Sequence, residues 1–241
     1  MATVLAKTNV AARWLWSWTR SLVVALFVWF LISTFLVQAF RITSGSMERT
    51  VLVGDFLFVN KLLYGAEVPL AHRHLPPIRE PAHDEVVVVK SPIEDLVLLK
   101  RIVGLPGDTI GMSDGHLVRN GTIITEPYVT LHPTPPGIDS MTRERMRQWQ
   151  TPYLLAPAPR AYRPDARNWG PLLVPRRSLF AMGDNRDDSF DSRFYGFIPR
   201  ENLRGSPLFI YYSYDPTSWR LLPFLTAIRW DRALTRPFRT P

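Results

Sequence analysis

The sequence predicts a mostly β domain preceded by one transmembrane helix. Three observations predict it: a run without a charged side chain over residues 21–40, a succession of short β-branched and aromatic runs beyond it, and no later helical period of comparable length. At 241 residues and 46% hydrophobic, the chain can bury one substantial core with an appended subdomain. Its 29 basic residues against 21 acidic ones leave a formal charge of +8. No nucleic-acid motif accompanies that charge, so the expected partner is an anionic lipid bilayer and not nucleic acid. There is no Cys, which excludes disulfides, a cysteine nucleophile and thiolate metal sites, and leaves the compartment open.

Residues 1–20 carry Lys7, Arg13 and Arg20 with no acid, and Trp14, Trp16 and Trp18 have the amphipathic rings that favour the headgroup zone. Residues 21–40 read as the membrane span, since about 20 helical residues cross the roughly 30 Å hydrocarbon layer. The basic flank places residues 1–20 in the cytoplasm and the rest of the chain outside. A cleaved secretory signal is the alternative, with Val37-Gln38-Ala39 as a loose cleavage site, but the apolar run is long for one. Residues 41–218 form the β-rich domain, with strands expected at 51–59, 85–89, 96–103, 178–182 and 208–214. Asp114-Gly115 and Asn120-Gly121 are hairpin turn signals, the first joining 109–110 to 116–118. Two proline-rich insertions, 65–84 and 131–175, are expected to be irregular apart from a helical turn at 143–147. His72 and His74 lack the spacing of a metal site, so no metal is expected. The tail, 219–241, mixes Trp219, Phe224 and Trp230 with five arginines and reads either as a basic amphipathic segment on lipid or as a terminal helix packed on the domain.

Three segments carry the chemistry: Ser44-Gly45-Ser46-Met47, the run from Leu99-Lys100-Arg101 to Pro106-Gly107-Asp108, and Gly183-Asp184-Asn185-Arg186 through Asp191-Ser192-Arg193. A serine hydroxyl needs an adjacent base, and none of His72, His74, His83, His116 and His132 lies in a serine-protease context. A lysine base is the better reading. An unperturbed lysine is neutral in only about one molecule in 2,500 at pH 7, a deficit of about 4.6 kcal/mol. Burial lowers that pKa, and Lys100 follows Leu96-Val97-Leu98-Leu99 and precedes Arg101-Ile102-Val103, which reads as a desolvating strand. The acidic run from Asp187 fails as an EF-hand, with Ser192 where Gly is needed and Ile198 at the twelfth position. The glycines at 104 and 107 have no following Gly-Lys-Ser/Thr, which excludes a P-loop.

In their order and residues the three segments closely resemble the signature boxes of bacterial type I signal peptidases, over about residues 20 to 218. The resemblance implies an antiparallel β-sheet catalytic domain of the signal-peptidase type, acting as a monomer without metal or cofactor at the outer face of a bacterial cytoplasmic membrane. It would cleave the signal peptides of exported preproteins after small residues, Ala-x-Ala above all. It implies Ser46 as nucleophile, Lys100 as general base, Ser189 orienting the lysine, and Ser44 with the Ser46 N–H as oxyanion donors. Asp184, Arg186, Asp191 and Arg193 would brace the site, and Ile42, Met47, Leu52, Leu99 and Met182 would line the substrate pockets. The chain departs from the family pattern at Arg49, where most members have Pro, and at Thr43, where many have another Pro. Loss of those prolines predicts a looser nucleophile loop. It also leaves open a catalytically impaired protein that binds preproteins. A self-cleaving Ser-Lys repressor would need a DNA-binding domain where this chain has an apolar helix.

Overall fold

The computed structural model describes residues 2–31, 36–65, 67–68, 73–134, 137–158 and 162–238. Helix α1 (Ala2–Leu31) starts far earlier than the apolar run, whose residues 32–35 lie outside the described residues. Beyond it Val37–Arg41 is a strand, β1, paired antiparallel with β2 (Asp55–Asn60) from Val37↔Asn60 to Arg41↔Phe56. The expected span at 21–40 is therefore divided, because the backbone of 37–41 finds hydrogen-bond partners on β2 that a helix would have to forgo. Among the described residues no helix is long and apolar enough to cross a membrane.

A seven-stranded antiparallel sheet forms the body, in the order β1, β2, β13 (Leu203–Ser213), β5 (Val86–Lys90), β6 (Val97–Gly104), β11 (Ser178–Met182) and β12 (Ile198–Pro199). Val86 to Val89 on β5 are all buried, because apolar layers cover both faces of the sheet there. Val86 and Val88 pack with Ile42, Met47, Leu57 and Ile210, whereas Val87 and Val89 pack with Ile102, Leu179 and Ile198. That explains an unbroken valine run in place of alternation. A smaller sheet, β10 (Trp169–Leu173), β7 (Thr109–Ser113), β8 (His116–Arg119) and β9 (Thr122–Ile123), encloses a third apolar cluster around Phe180, Trp169 and Ile110. Both hairpins of this sheet turn where Asp-Gly and Asn-Gly stand, with Asp114 and Asn120 at positive φ.

Several elements differ from expectation. Val51–Val53 is a turn ahead of β2, and β13 begins at Leu203, five residues earlier than its hydrophobicity suggests. The 131–175 insertion contains an eleven-residue helix, α2 (Ser140–Gln150), capped by the Asp139 carboxylate accepting from Thr142 N, and it also supplies β10. The 65–84 insertion is irregular apart from the short ladder β3 (Glu67–Val68) with β4 (Arg73–His74); His72 lies outside the described residues. The tail returns along β13, with Leu234 N and Ile210 N exchanging bonds with Ile210 O and Thr235 O, and Phe238 joins the core.

The fold depends on apolar layers on both faces of the central strands. Leu57→Ala, at a fully buried position, should lower unfolding free energy by about 2–5 kcal/mol, whereas Ile123→Ala on exposed β9 should stay within about 0.5 kcal/mol of the parent. Urea unfolding of the two variants measures both.

Candidate active site

Residues 45–51 form a tight turn held by Glu48 N to Gly45 O at 2.9 Å, Thr50 N to Met47 O at 3.1 Å and Val51 N to Met47 O at 2.9 Å. The turn stays down because Met47, Thr50 and Val51 are buried beneath it. A second segment, 183–185, clasps it from the side: Asn185 N donates to Ser46 O at 3.2 Å, Asn185 Nδ2 to Gly45 O at 3.2 Å, and Asp184 N to Met47 Sδ at 3.4 Å. The approach is close enough to require glycine at 183. A Cβ there would lie 2.3 Å from both Ser46 O and Ser189 Oγ. The backbone of Ser46 and the hydroxyl of Ser189 therefore press on the same point.

Lys100 lies in β6 opposite Val87, is 2% exposed, and donates from Nζ to Ser189 Oγ at 3.0 Å. Ser189 in turn donates to Asp191 Oδ2 at 2.8 Å. An ionised carboxylate only accepts, so the Ser189 proton points to Asp191 and its lone pairs face the lysine. Burial pushes the Lys100 pKa below its ordinary 10.5; the Asp191 carboxylate pulls it back up, and the Arg193 guanidinium adds to the lowering. The Ser46 hydroxyl sits 3.4 Å from Ser44 Oγ. No direct hydrogen bond joins Ser46 Oγ to Lys100 Nζ in this structure, and catalytic hydrogen bonds commonly tighten only when substrate arrives.

A lattice of buried ion pairs surrounds these groups. Arg101 grips Asp184 with two bonds, of 2.8 and 2.7 Å, while Thr50 Oγ1 donates to the same carboxylate at 2.6 Å and the Tyr128 ring centre lies 3.8 Å from the guanidinium carbon. Arg186 takes Glu126 through both guanidinium nitrogens, at 2.9 and 2.5 Å, and Arg193 takes Asp191 at 2.9 Å twice. Arg167 pairs with Asp187 at 2.6 Å. Burial alone would raise the Asp191 carboxyl, but Arg193 and Lys100 beside it and the Gly183 N–H hold it below its usual range. Bidentate pairs fix orientation as well as charge.

Ser44, Ser46, Lys100, Ser189, Asp184, Arg186, Asp191 and Arg193 thus converge on one region. A cavity of about 230 Å³ opens beside Ser46, lined by residues 41–44, Ser46, Met47, Val51 and 96–99. It exists because β11 pairs with β6 only at Arg101–Gly104, leaving Val97–Lys100 without a strand neighbour on that side among the described residues. Ile42, Met47 and Leu99 line it. Leu52 and Met182 do not: Met182 is fully buried in the third apolar cluster, and Leu52 stands at the entry to β2, its N–H bonded to Asp55. The sequence reading missed Thr50, Arg101, Glu126, Arg167 and Asn185. Arg101 had a signal, since a charge inside an apolar strand must find a buried partner; Glu126 and Arg167 had none. Among the described residues no cluster of His, Asp or Glu could hold a metal ion.

A serine-bearing turn clasped beside a buried amine, on an antiparallel β scaffold, is an arrangement that serine hydrolases use. Comparison with known proteins makes the assignment specific. The family model described as "Signal peptidase, peptidase S26" matches residues 15–212. Signal peptidase I of Pseudomonas aeruginosa is 34% identical over 218 residues, covering 85% of this chain and 75% of its own. Signal peptidase I of Rickettsia akari is 29% identical and covers 98% and 97%. A crystal structure of a signal peptidase I from Enterococcus faecalis aligns at 26% identity over 54% of this chain and 97% of its own, with a TM-score of 0.35, too loose to bear on the fold. The chain belongs to the bacterial type I signal peptidase family and is a serine endopeptidase.

The ion pairs carry a stability prediction. Asp184→Ala would strand the Arg101 guanidinium in a buried site, at a cost of about 3–5 kcal/mol. Arg101→Met added to Asp184→Ala should recover part of that loss in thermal unfolding.

Proposed function

We propose that this protein is a membrane-anchored endopeptidase that removes signal peptides from exported preproteins, with Ser46 as nucleophile and Lys100 as general base. The observation that carries the reading is the buried Lys100 amine, hydrogen-bonded to Ser189 beside the turn that presents Ser46. Ser189, itself held by Asp191, takes one N–H of the amine and leaves the nitrogen lone pair free to turn toward Ser46. Neutral Lys100 accepts the Ser46 proton as Oγ attacks the scissile carbonyl carbon. The oxyanion so formed meets the Ser46 N–H, which has no acceptor among the described residues, and the Ser44 hydroxyl. Collapse of the tetrahedral intermediate breaks the C–N bond, and the Lys100 ammonium returns its proton to the departing amine. Lys100 then deprotonates a water that attacks the acyl-enzyme, and the released Ser46 recovers its proton.

The edge at Val97–Lys100, without a strand neighbour among the described residues, suits a substrate held as an added β-strand. Ile42, Met47 and Leu99 give the groove an apolar lining, and its small volume favours small side chains, in keeping with Ala-x-Ala sites. Anchoring is supported by α1, where Leu22, Val23, Leu26, Phe27 and Trp29 are all exposed and form an apolar surface that water would not favour. The same reading places residues 1–20 in the cytoplasm, the catalytic domain outside, and the enzyme at work as a monomer.

Ser46→Ala and Lys100→Ala should each abolish cleavage of an Ala-x-Ala preprotein in detergent while leaving the melting temperature near the parent's; full activity in either rejects the assignment. Because Lys100 must be neutral and its pKa is lowered, kcat/KM should rise with pH along a limb below the ordinary lysine value of 10.5 and flatten above it. Replacing Val23, Leu26 and Phe27 with Asp should release the protein from bacterial membranes on alkaline carbonate extraction, whereas the parent should stay in the pellet.

A further inference from the structure

We infer that Arg49 is a positioning residue, which fixes the Ser46 turn through a left-handed backbone and a guanidinium tether to the carbonyl of Val129. The inference rests on the reading of Ser46 as nucleophile. Arg49 has φ of 84°, three residues after Ser46. That region costs an ordinary L-residue about 1–2 kcal/mol, and such strain persists only where the surroundings hold it. Asp84, Asp114 and Asn120 also adopt positive φ, and their short polar side chains tolerate it; Arg49, like Arg177, Leu222 and Leu234, has a long side chain without that excuse, and at 84° its φ is the largest of the seven. Proline, confined to φ near −65°, could not occupy this turn. The arginine that replaces the family proline therefore accompanies a differently shaped loop, not merely a looser one.

What holds the strain is a closed ring of hydrogen bonds. Arg49 Nη1 donates to Val129 O at 3.0 Å. Val129 N donates to Glu126 O at 3.1 Å, and the Glu126 carboxylate is fixed by Arg186. Thr130 N donates to Asp184 O at 2.9 Å, and Arg186 N returns to Thr130 O at 3.2 Å. Asn185, between them, donates to Ser46 O and Gly45 O. The ring runs from position 49 through 129–130 and 184–186 back to Ser46, so the turn is gripped at both ends by one rigid segment. Without the Arg49 bond Thr50 stays fixed to Asp184, but residues 48–49 between it and Ser46 lose their tether to 129–130, and the Ser46 hydroxyl can shift relative to Lys100, which is anchored through Ser189 and Asp191.

The test is steady-state cleavage of an Ala-x-Ala preprotein by the full chain in detergent, for Arg49→Ala, Arg49→Gly and Arg49→Lys, with Ser46→Ala alongside. Misplacing a reacting atom by a fraction of an ångström lowers kcat more than it affects binding. Arg49→Ala and Arg49→Gly should therefore lose about tenfold in kcat with KM changed by less than about twofold. The ascending pH limb should stay where it is, since the surroundings of Lys100 are untouched, and Arg49→Lys should recover part of the loss. Glycine accepts the left-handed backbone without strain, so its loss would isolate the tether. Wild-type kcat in Arg49→Ala, or a loss that follows a fall in melting temperature, overturns the inference while leaving the role of Ser46 intact. Cleavage by Ser46→Ala overturns both.

Discussion

The removal of water from a single amine governs this structure. Lys100 is buried in a strand between Leu99 and Arg101, and its one hydrogen bond among the described residues goes to a serine already committed to a carboxylate. Desolvation lowers the amine's pKa while Asp191 opposes it, and the balance falls on the side of lowering. Each unit of that shift is about 1.4 kcal/mol, taken from a deficit of about 4.6 kcal/mol that an exposed lysine would carry at pH 7. The unfolded chain binds a proton at this lysine more readily than the folded one, so the site costs stability below the ordinary lysine pKa, and that cost falls as pH rises toward it. The rest of the domain must make good the loss.

It does so with two kinds of interaction that have different purposes. The apolar layers around Val86 to Val89 supply stability without much orientation. The buried ion pairs Arg101–Asp184, Arg186–Glu126 and Arg193–Asp191 give geometry: each guanidinium binds its carboxylate through two bonds, and each pair touches the 183–193 segment that clasps the Ser46 turn. Buried pairs of this kind contribute little net stability compared with well-packed apolar groups, yet losing one partner is expensive. Their value here is a rigid frame between two elements far apart in sequence, the turn at 45–51 and strand β6. Gly183 lets that frame close, since any larger side chain would collide with both serines.

Much of this was legible in the amino-acid sequence, and the remainder was hidden for identifiable reasons. The valine run at 86–89, the Asp-Gly and Asn-Gly turns and the apolar run ahead of Lys100 are local signals of strand, hairpin and burial. The strand at 37–41 was not legible because Val37 and Phe40 suit a strand and a membrane helix equally well; pairing with β2 decides the matter. Helix α2 was obscured by nine surrounding prolines in 131–175, although Asp139 three residues ahead of Thr142 is a capping pattern. In the groove, Met182 looked like a wall residue beside the Gly183 segment, but strand alternation and a bulge between Phe180 and Ala181 turn it into the core. The pairing of Glu126 with Arg186 spans sixty residues and left no local trace.

The most direct measurement is the titration of the Lys100 amine itself, by NMR of protein labelled with 15N at lysine side chains, with Lys100→Met to assign the signal. The account predicts a Lys100 resonance that changes protonation state below 10.5 and moves toward the ordinary value when Ser46 and its turn are opened to solvent by the uncharged substitution Gly183→Leu. A Lys100 amine that titrates with the exposed lysines, near 10.5, would contradict it.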